Sequence, residues 1–257
     1  MLKPALAAVV LALSTMGAAE APKPVGYLTD ATAPDTLRIL PEAPVAGTSR
    51  YEADRTVYLQ TRAMKDGPRW ALAQRDVDQR AVLHDMACAV GAELTASNAP
   101  RLTAMVSRLG VDASRVTGRP KDFYGRKRPF LIDQGPICDT ATPQLAASPD
   151  YPSGHSTWGW TVGLVLAELA PDRTTDILVR ARAYGESRIV CGVHNLSAVE
   201  AGRTNASALV AALHGEPQFR ADLDAARREV AAARKAGPAP DPAACAAEAQ
   251  LVEKSPY

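Results

Sequence analysis

From Ser49 onward the apolar residues recur at intervals of three and four, segment after segment, and that spacing suits only one kind of regular element. A half-buried strand needs strict alternation, and no convincing alternating run of β-branched residues occurs anywhere in the chain. "SRYEADRTVYLQTRAM" opens the pattern, Asp66-Gly67-Pro68 punctuates it, and "RWALAQRDVDQRAVLHDMACAVGAEL" resumes it as one helical stretch. "NAPRLTAMVSRLGVDASRVT" predicts a third helix, with Asn98 as N-cap and Pro100 in the first turn. A loop rich in charge, glycine and proline spans about 119 to 152. After it, "SGHSTWGWTVGLVLAELAP", "RTTDILVRARAYGESRIVCGV", "HNLSAVEAGRTNASALVAALHG" and "EPQFRADLDAARREVAAARKAG" are each helical by period. The expected architecture is all-α, a single helical-bundle domain of about seven or eight helices over residues 49–257.

A chain of 257 residues, 47% hydrophobic and 22% charged, is large enough for one well-packed globular domain. Its net charge of +1 gives no electrostatic reason to expect nucleic acid or an acidic membrane as partner. The opening "MLKPALAAVVLALSTMGAAEA" has a lysine, a short apolar run and small residues, which predicts a signal peptide over residues 1–20. Residues 21–48 are proline-rich and aperiodic and should run extended over the surface. The longest later apolar run, "TVGLVLAELA", is broken by Glu168 and stopped by Pro171, so no membrane span is expected. The protein should be periplasmic or secreted. A homo-oligomer is compatible with the sequence.

Three short segments carry polar residues ill-suited to packing. They are Lys121 and Arg128-Pro129 within "KDFYGRKRPF"; Ser153, Gly154 and His155 within "YPSGHS"; and Ser187-Arg188 followed by His194. Each alone is ordinary: a solvated basic loop, a turn with an N-cap, a structural histidine. Together they describe a site for a tetrahedral oxyanion. Guanidinium forks bind two oxygens at once, and a lysine adds a point charge. A helix opening at Ser153-Gly154 would offer free N–H groups and the positive end of its dipole. Two histidines add a nucleophile and an acid. No acidic cluster suited to a divalent metal accompanies them, so no metal or other cofactor is expected.

The spacing Lys121, six residues, Arg128-Pro129; then Pro152-Ser153-Gly154-His155; then Ser187-Arg188, five residues, His194 resembles the three-part signature of the type 2 phosphatidic acid phosphatase superfamily. Within it, the "YLTDATAPDTLRILPEAP" opening, the "RPF" after the basic loop and "CGVH" are similar to the secreted bacterial class A non-specific acid phosphatases. The resemblance implies an acid phosphatase / vanadium haloperoxidase-like fold. It makes His194 the nucleophile that becomes a phosphohistidine, and His155 the acid that protonates the leaving alcohol. It assigns phosphate binding to Lys121, Arg128, Ser153, Gly154 and Arg188, with small-molecule phosphomonoesters as substrates.

One position departs from that pattern. The family's signature ends in an aspartate four residues after the nucleophile, and here that residue is Ala198. The carboxylate's role is to hold one ring nitrogen so that the other presents its lone pair to phosphorus. Without it the enzyme could be slow, a neighbour could substitute, or the site could bind phosphate without turnover. Ser197 lies beside the right face, Glu200 points about 120° away by helical geometry, and a backbone carbonyl or water could also fix the ring. The leading expectation is a working, metal-independent acid phosphatase of reduced rate, in which Ala198→Asp would raise turnover. The alternatives are a catalytically silent phosphate-binding relic and a vanadium-dependent haloperoxidase. The chain's length and its opening argue against the last.

Four cysteines in an exported chain imply two disulfides, and no Cys/His spacing suggests zinc. Three pairings are formally open. Cys138 follows the basic loop and Cys191 precedes His194, so these two are expected to pair. That leaves Cys88 with Cys245 to tie down the tail.

Overall fold

A computed structural model describes residues 24–257, so the expected signal peptide lies outside the described residues. Its first six α-helices are α1 (Thr36–Ile39), α2 (Ser49–Thr61), α3 (Pro68–Arg75), α4 (Val82–Asp85), α5 (Ala87–Val90) and α6 (Pro100–Tyr124). The second six are α7 (Pro143–Ala147), α8 (Gly154–Leu169), α9 (Thr174–Val190), α10 (Leu196–Leu213), α11 (Pro217–Ala236) and α12 (Pro242–Val252). There is no strand among the described residues. The seven or eight helices expected correspond to the eight that run eight residues or more.

Helix α8 is the axis of the fold. "GHSTWGWTVGLVLAEL" is apolar or small on nearly every side, and a helix of that kind belongs in the interior. It is packed on by α6, α9, α10 and α11. Two glycines set the spacing. A Cβ on Gly159 would fall 2.2 Å from the Tyr184 ring on α9, and one on Gly202 of α10 would fall 2.7 Å from the Ser153 carbonyl. The helices can approach this closely only where the side chain is absent.

Three local expectations are corrected. The stretch 69–94 is not one helix: it breaks after Arg75, because Asp76 sends its groups elsewhere. The Asp76 carbonyl accepts from His155 Nε2 at 2.5 Å, and its carboxylate binds Arg180 and Ser187. Arg80 N, which would continue the ladder, donates instead to Asp78 Oδ1 at 3.1 Å.

Asn98 does not cap α6. Its Oδ1 closes the preceding turn on Thr95 N, while the carboxylate of Glu229, on α11, accepts from the N–H groups of Arg101 and Leu102.

Finally, α6 does not yield to a loop at 119. It passes through Pro120 and ends at Gly125, whose φ of 53° is the left-handed stop. Proline withholds the N–H that the Val116 carbonyl would otherwise receive. Thr36 Oγ1 (2.9 Å) and Asn205 Nδ2 (3.3 Å) donate to that carbonyl in its place. Lys121 therefore stands on the last turn of a helix.

Cys138 bonds Cys191 and Cys88 bonds Cys245, the expected pairing. Between residues 24 and 48 the chain has little regular structure apart from α1. It is nonetheless held down: Tyr27 N and Leu28 N both donate to the buried Asp112 carboxylate.

Candidate active site

Five elements converge on one cleft of about 680 Å³: the end of α6 (Lys121), the following loop (Arg128), the start of α8 (Gly154, His155), the end of α9 (Arg188) and the turn before α10 (His194). Six of the seven residues singled out in the sequence line it. The seventh, Ser153, stands behind the wall. It is fully buried, and its hydroxyl accepts from Ser156 N at 3.2 Å as the N-cap of α8. Its backbone N–H goes to the Ala198 carbonyl. What faces the cleft is the turn it caps, where Gly154 leaves the backbone bare at the positive end of the helix.

His194 has a defined tautomer. Arg128 Nη1 approaches its Nε2 at 3.1 Å, and a guanidinium only donates, so Nε2 holds a lone pair. The proton is then on Nδ1, and it is donated to Asp150 Oδ1 at 2.9 Å. Burial, with Arg128, Lys121 and Arg188 around it, holds the ring well below the usual histidine pKa, although Asp150 pulls the other way. His194 is neutral and presents Nε2 to the cleft.

His155 is oriented in the opposite sense. Its Nε2 donates to the Asp76 carbonyl at 2.5 Å, and its Nδ1 faces the Gln79 amide nitrogen at 3.1 Å, so Nδ1 carries the lone pair. Tyr184 stacks on the ring at 4.7 Å. Burial and the Arg188 charge hold this ring, too, well below its ordinary pKa.

Lys121 and Arg128 are held by carbonyl oxygens and not by carboxylates, while Arg188 has one carboxylate partner. Lys121 Nζ donates to the Pro149 carbonyl, and burial with the neighbouring Arg128 brings its pKa down to about 8. Arg128 is fixed by the Ser148 and Val193 carbonyls at 2.7 and 2.8 Å, with burial lowering its pKa to about 10. Arg188 pairs with Asp139 through Nη2 at 2.9 Å, but its Nε and Nη1 are buried with no partner. Donors left in that condition cost free energy unless something fills the cleft. A tetrahedral anion would satisfy them.

Residues 102–219 match the PAP2 superfamily. The chain is 41% identical to an acid phosphatase of Zymomonas mobilis, over 83% of this chain and 82% of that one. It is 34% identical to a non-specific acid phosphatase of Providencia stuartii, over 81% and 86% of the two chains. A further non-specific acid phosphatase, from Salmonella typhimurium, is 32% identical over 74% and 78%. The chain belongs to the PAP2 superfamily, among its non-specific acid phosphatases.

Part of this acid phosphatase site is built from residues that the sequence pattern did not point to. Asp150 is 44 residues before His194, with no periodic relation to it, yet it is the group on the ring's Nδ1. One signal for it existed: it stands directly before "YPSGH", in the segment that delivers the phosphate-facing turn. Asp76 and Gln79 hold His155 and were hidden inside an apparently continuous helix. Asp139, on Arg188, follows Cys138 and is brought there by the Cys138–Cys191 bond. The nearer candidates do other work. Ser197 gives both its N–H and its hydroxyl to Asp54 at 2.7 and 2.5 Å, and Glu200 is exposed.

Proposed function

We propose that this acid phosphatase hydrolyses a broad range of phosphomonoesters through a phosphohistidine on His194, without a metal ion. The observation that carries the reading is the neutral His194, its Nε2 lone pair turned to a cleft where Arg188 holds unsatisfied donors. The phosphoryl group would sit between Arg128, Arg188, Lys121 and the Gly154 turn, which together supply the positive charge that a divalent ion supplies elsewhere.

In the first step Nε2 forms a bond to phosphorus as the ester P–O bond breaks, and His155 gives a proton to the departing oxygen. In the second step His155 takes a proton from water as that water attacks phosphorus; the N–P bond breaks and orthophosphate leaves. The proton given comes from His155 Nδ1, since Nε2–H is committed to Asp76. His155 is neutral in the free site, so it must be charged in the complex. The incoming phosphate anion favours that by offsetting Arg188. Activity should therefore be greatest in acid.

The rest of the cleft is mixed: Val82, Leu83, Val106, Ala113 and Trp158 lie beside Gln79, Arg80, Thr103, Ser107 and Ser114. The room in a cleft of about 680 Å³ for leaving alcohols of different size supports broad specificity. The two disulfides suit an oxidising compartment outside the cytoplasm, and no helix among the described residues is long and apolar enough to cross a membrane.

Purified protein assayed on a chromogenic phosphomonoester should show an acid optimum, unchanged by a chelator and inhibited by vanadate. Quenching during turnover should trap a phosphohistidine that His194→Ala cannot form. Loss of activity on chelation, restored by a divalent ion, would overturn the reading.

A further inference from the structure

The proposed nucleophile needs an anion on its far nitrogen, and the helix position that should supply it carries Ala198. That side chain is fully buried among Leu40, Tyr151 and Ala201, an apolar pocket. The group that does meet that nitrogen comes from the loop before α8. Asp150 is wholly buried, and every contact on its carboxylate is a donor. Oδ1 accepts from His194 Nδ1 at 2.9 Å and from Asn195 N at 3.1 Å. Oδ2 accepts from Asn195 Nδ2 at 2.8 Å and lies 3.3 Å from Arg126 Nη1. The segment is fixed as well, since Asp150 N donates to the Arg126 carbonyl at 2.7 Å. Arg126 is itself anchored to Asp54, which holds Ser197.

A buried carboxylate is costly unless its lone pairs are occupied and a cation is near. Here both conditions are met, and the group they hold in place faces His194. Burial pushes the Asp150 carboxyl up, opposed by Arg126 and by the two Asn195 bonds.

We propose that Asp150 is the positioning residue of His194: it fixes the Nδ1–H tautomer and stabilises the ring as it becomes cationic, a role transferred from the helix position now held by Ala198 to the loop entering α8. This rests on His194 being the nucleophile. As Nε2 bonds to phosphorus the ring gains a positive charge, and its Nδ1 proton stays in the bond to Asp150. A second carboxylate at 198 would then add a like charge beside the first. Ala198→Asp in the native background should leave turnover unchanged or lower it.

The decisive comparison is Asp150→Asn, which keeps the shape of the side chain and removes its charge. Its kcat should fall by about 10²- to 10⁴-fold, in the range seen when a serine-protease triad loses the equivalent carboxylate. KM and inhibition by orthophosphate should change much less than kcat, since Asp150 makes no hydrogen bond to Lys121, Arg128 or Arg188. In Asp150→Ala, adding Ala198→Asp should restore at least tenfold of the lost kcat. An Asp150→Asn enzyme within threefold of the native kcat would overturn the proposal.

The native protein offers a test independent of any variant's folding. Its His194 should show a downfield Nδ1 proton by ¹⁵N-resolved NMR, and a proton found on Nε2 instead would overturn the assignment. Should His194→Ala retain activity, the nucleophile is misassigned, and that failure is distinct from one in which only Asp150 proves dispensable.

Discussion

Asp76 and Gln79 divide the two nitrogens of His155 between them. The Asp76 carbonyl takes the Nε2 proton, and the Gln79 amide covers Nδ1, where the catalytic proton must arrive. An amide N–H facing Nδ1 disfavours that proton, and so do burial and Arg188. Gln79→Glu would put an anion there and favour the charged ring. The sign follows directly: kcat falls as pH rises through the complex's His155 pKa, so Gln79→Glu should move that fall upward. A shift of about one unit is expected, the low end of the range for an adjacent opposite charge, because Gln79 is exposed and water screens it. Activity near neutral pH should rise while the acid plateau stays or drops. A kcat profile that does not move would place the working proton on another group.

At this scale the sequence was informative about groups that touch phosphate, because their spacing forms a recognisable set. It was silent about Asp76 and Asp139, and for Asp150 it offered only the place before "YPSGH". Each reaches its partner through the tertiary fold, and no period along the chain relates them.

Helix α6 illustrates how local pattern and tertiary packing share control of an element. Its apolar repeat was legible, and so was Pro100 in the first turn. Its boundaries were not, because both depend on distant groups. Glu229 on α11 caps the start, and Thr36 with Asn205 satisfies the carbonyl that Pro120 leaves open near the end. The same physics broke the expected helix at Asp76, where a carbonyl was worth more to His155 than to the ladder.

Glu229→Ala should therefore cost about 1 kcal/mol, the usual effect of losing a cap. In a domain of this size that lowers the melting temperature by about 2–4 °C. Turnover should be unaffected, since Lys121 stands some twenty residues along the helix, roughly 30 Å away. Calorimetry and a steady-state assay would check both halves. A fall in kcat together with the melting temperature would mean that α6 transmits its frayed end to the site.

Across the whole molecule the two disulfides separate stability from function. Cys88–Cys245 closes 157 residues and ties α12 to α5, neither of which lines the cleft. Cys138–Cys191 closes 53 residues and joins the loop after Arg128 to the end of α9. Beside it, Cys138 N donates to the Cys191 carbonyl, and Arg62 bridges the carbonyls of Pro136, Ile189 and Val190. Asp139, the next residue, holds Arg188. Their pairing could be reasoned from position along the chain, because one pair flanks the motif residues. Their separate consequences needed the fold.

Chain entropy gives upper figures of about 5 kcal/mol for the longer closure and about 4 kcal/mol for the shorter. On stability alone, then, losing the tail's bond should matter at least as much. Activity should reverse the order. In Cys138→Ser/Cys191→Ser, the loop and α9 are no longer clamped, Arg188 loses the partner that aims it, and phosphate is held less well. KM should rise by about tenfold, with the phosphohistidine still formed. In Cys88→Ser/Cys245→Ser, kcat/KM at 25 °C should stay within about twofold of native while the melting temperature drops. Equal losses of kcat/KM in the two double variants would mean that the site depends on global stability, and the clamp would have no separate role. A clamp specific to the site predicts the split.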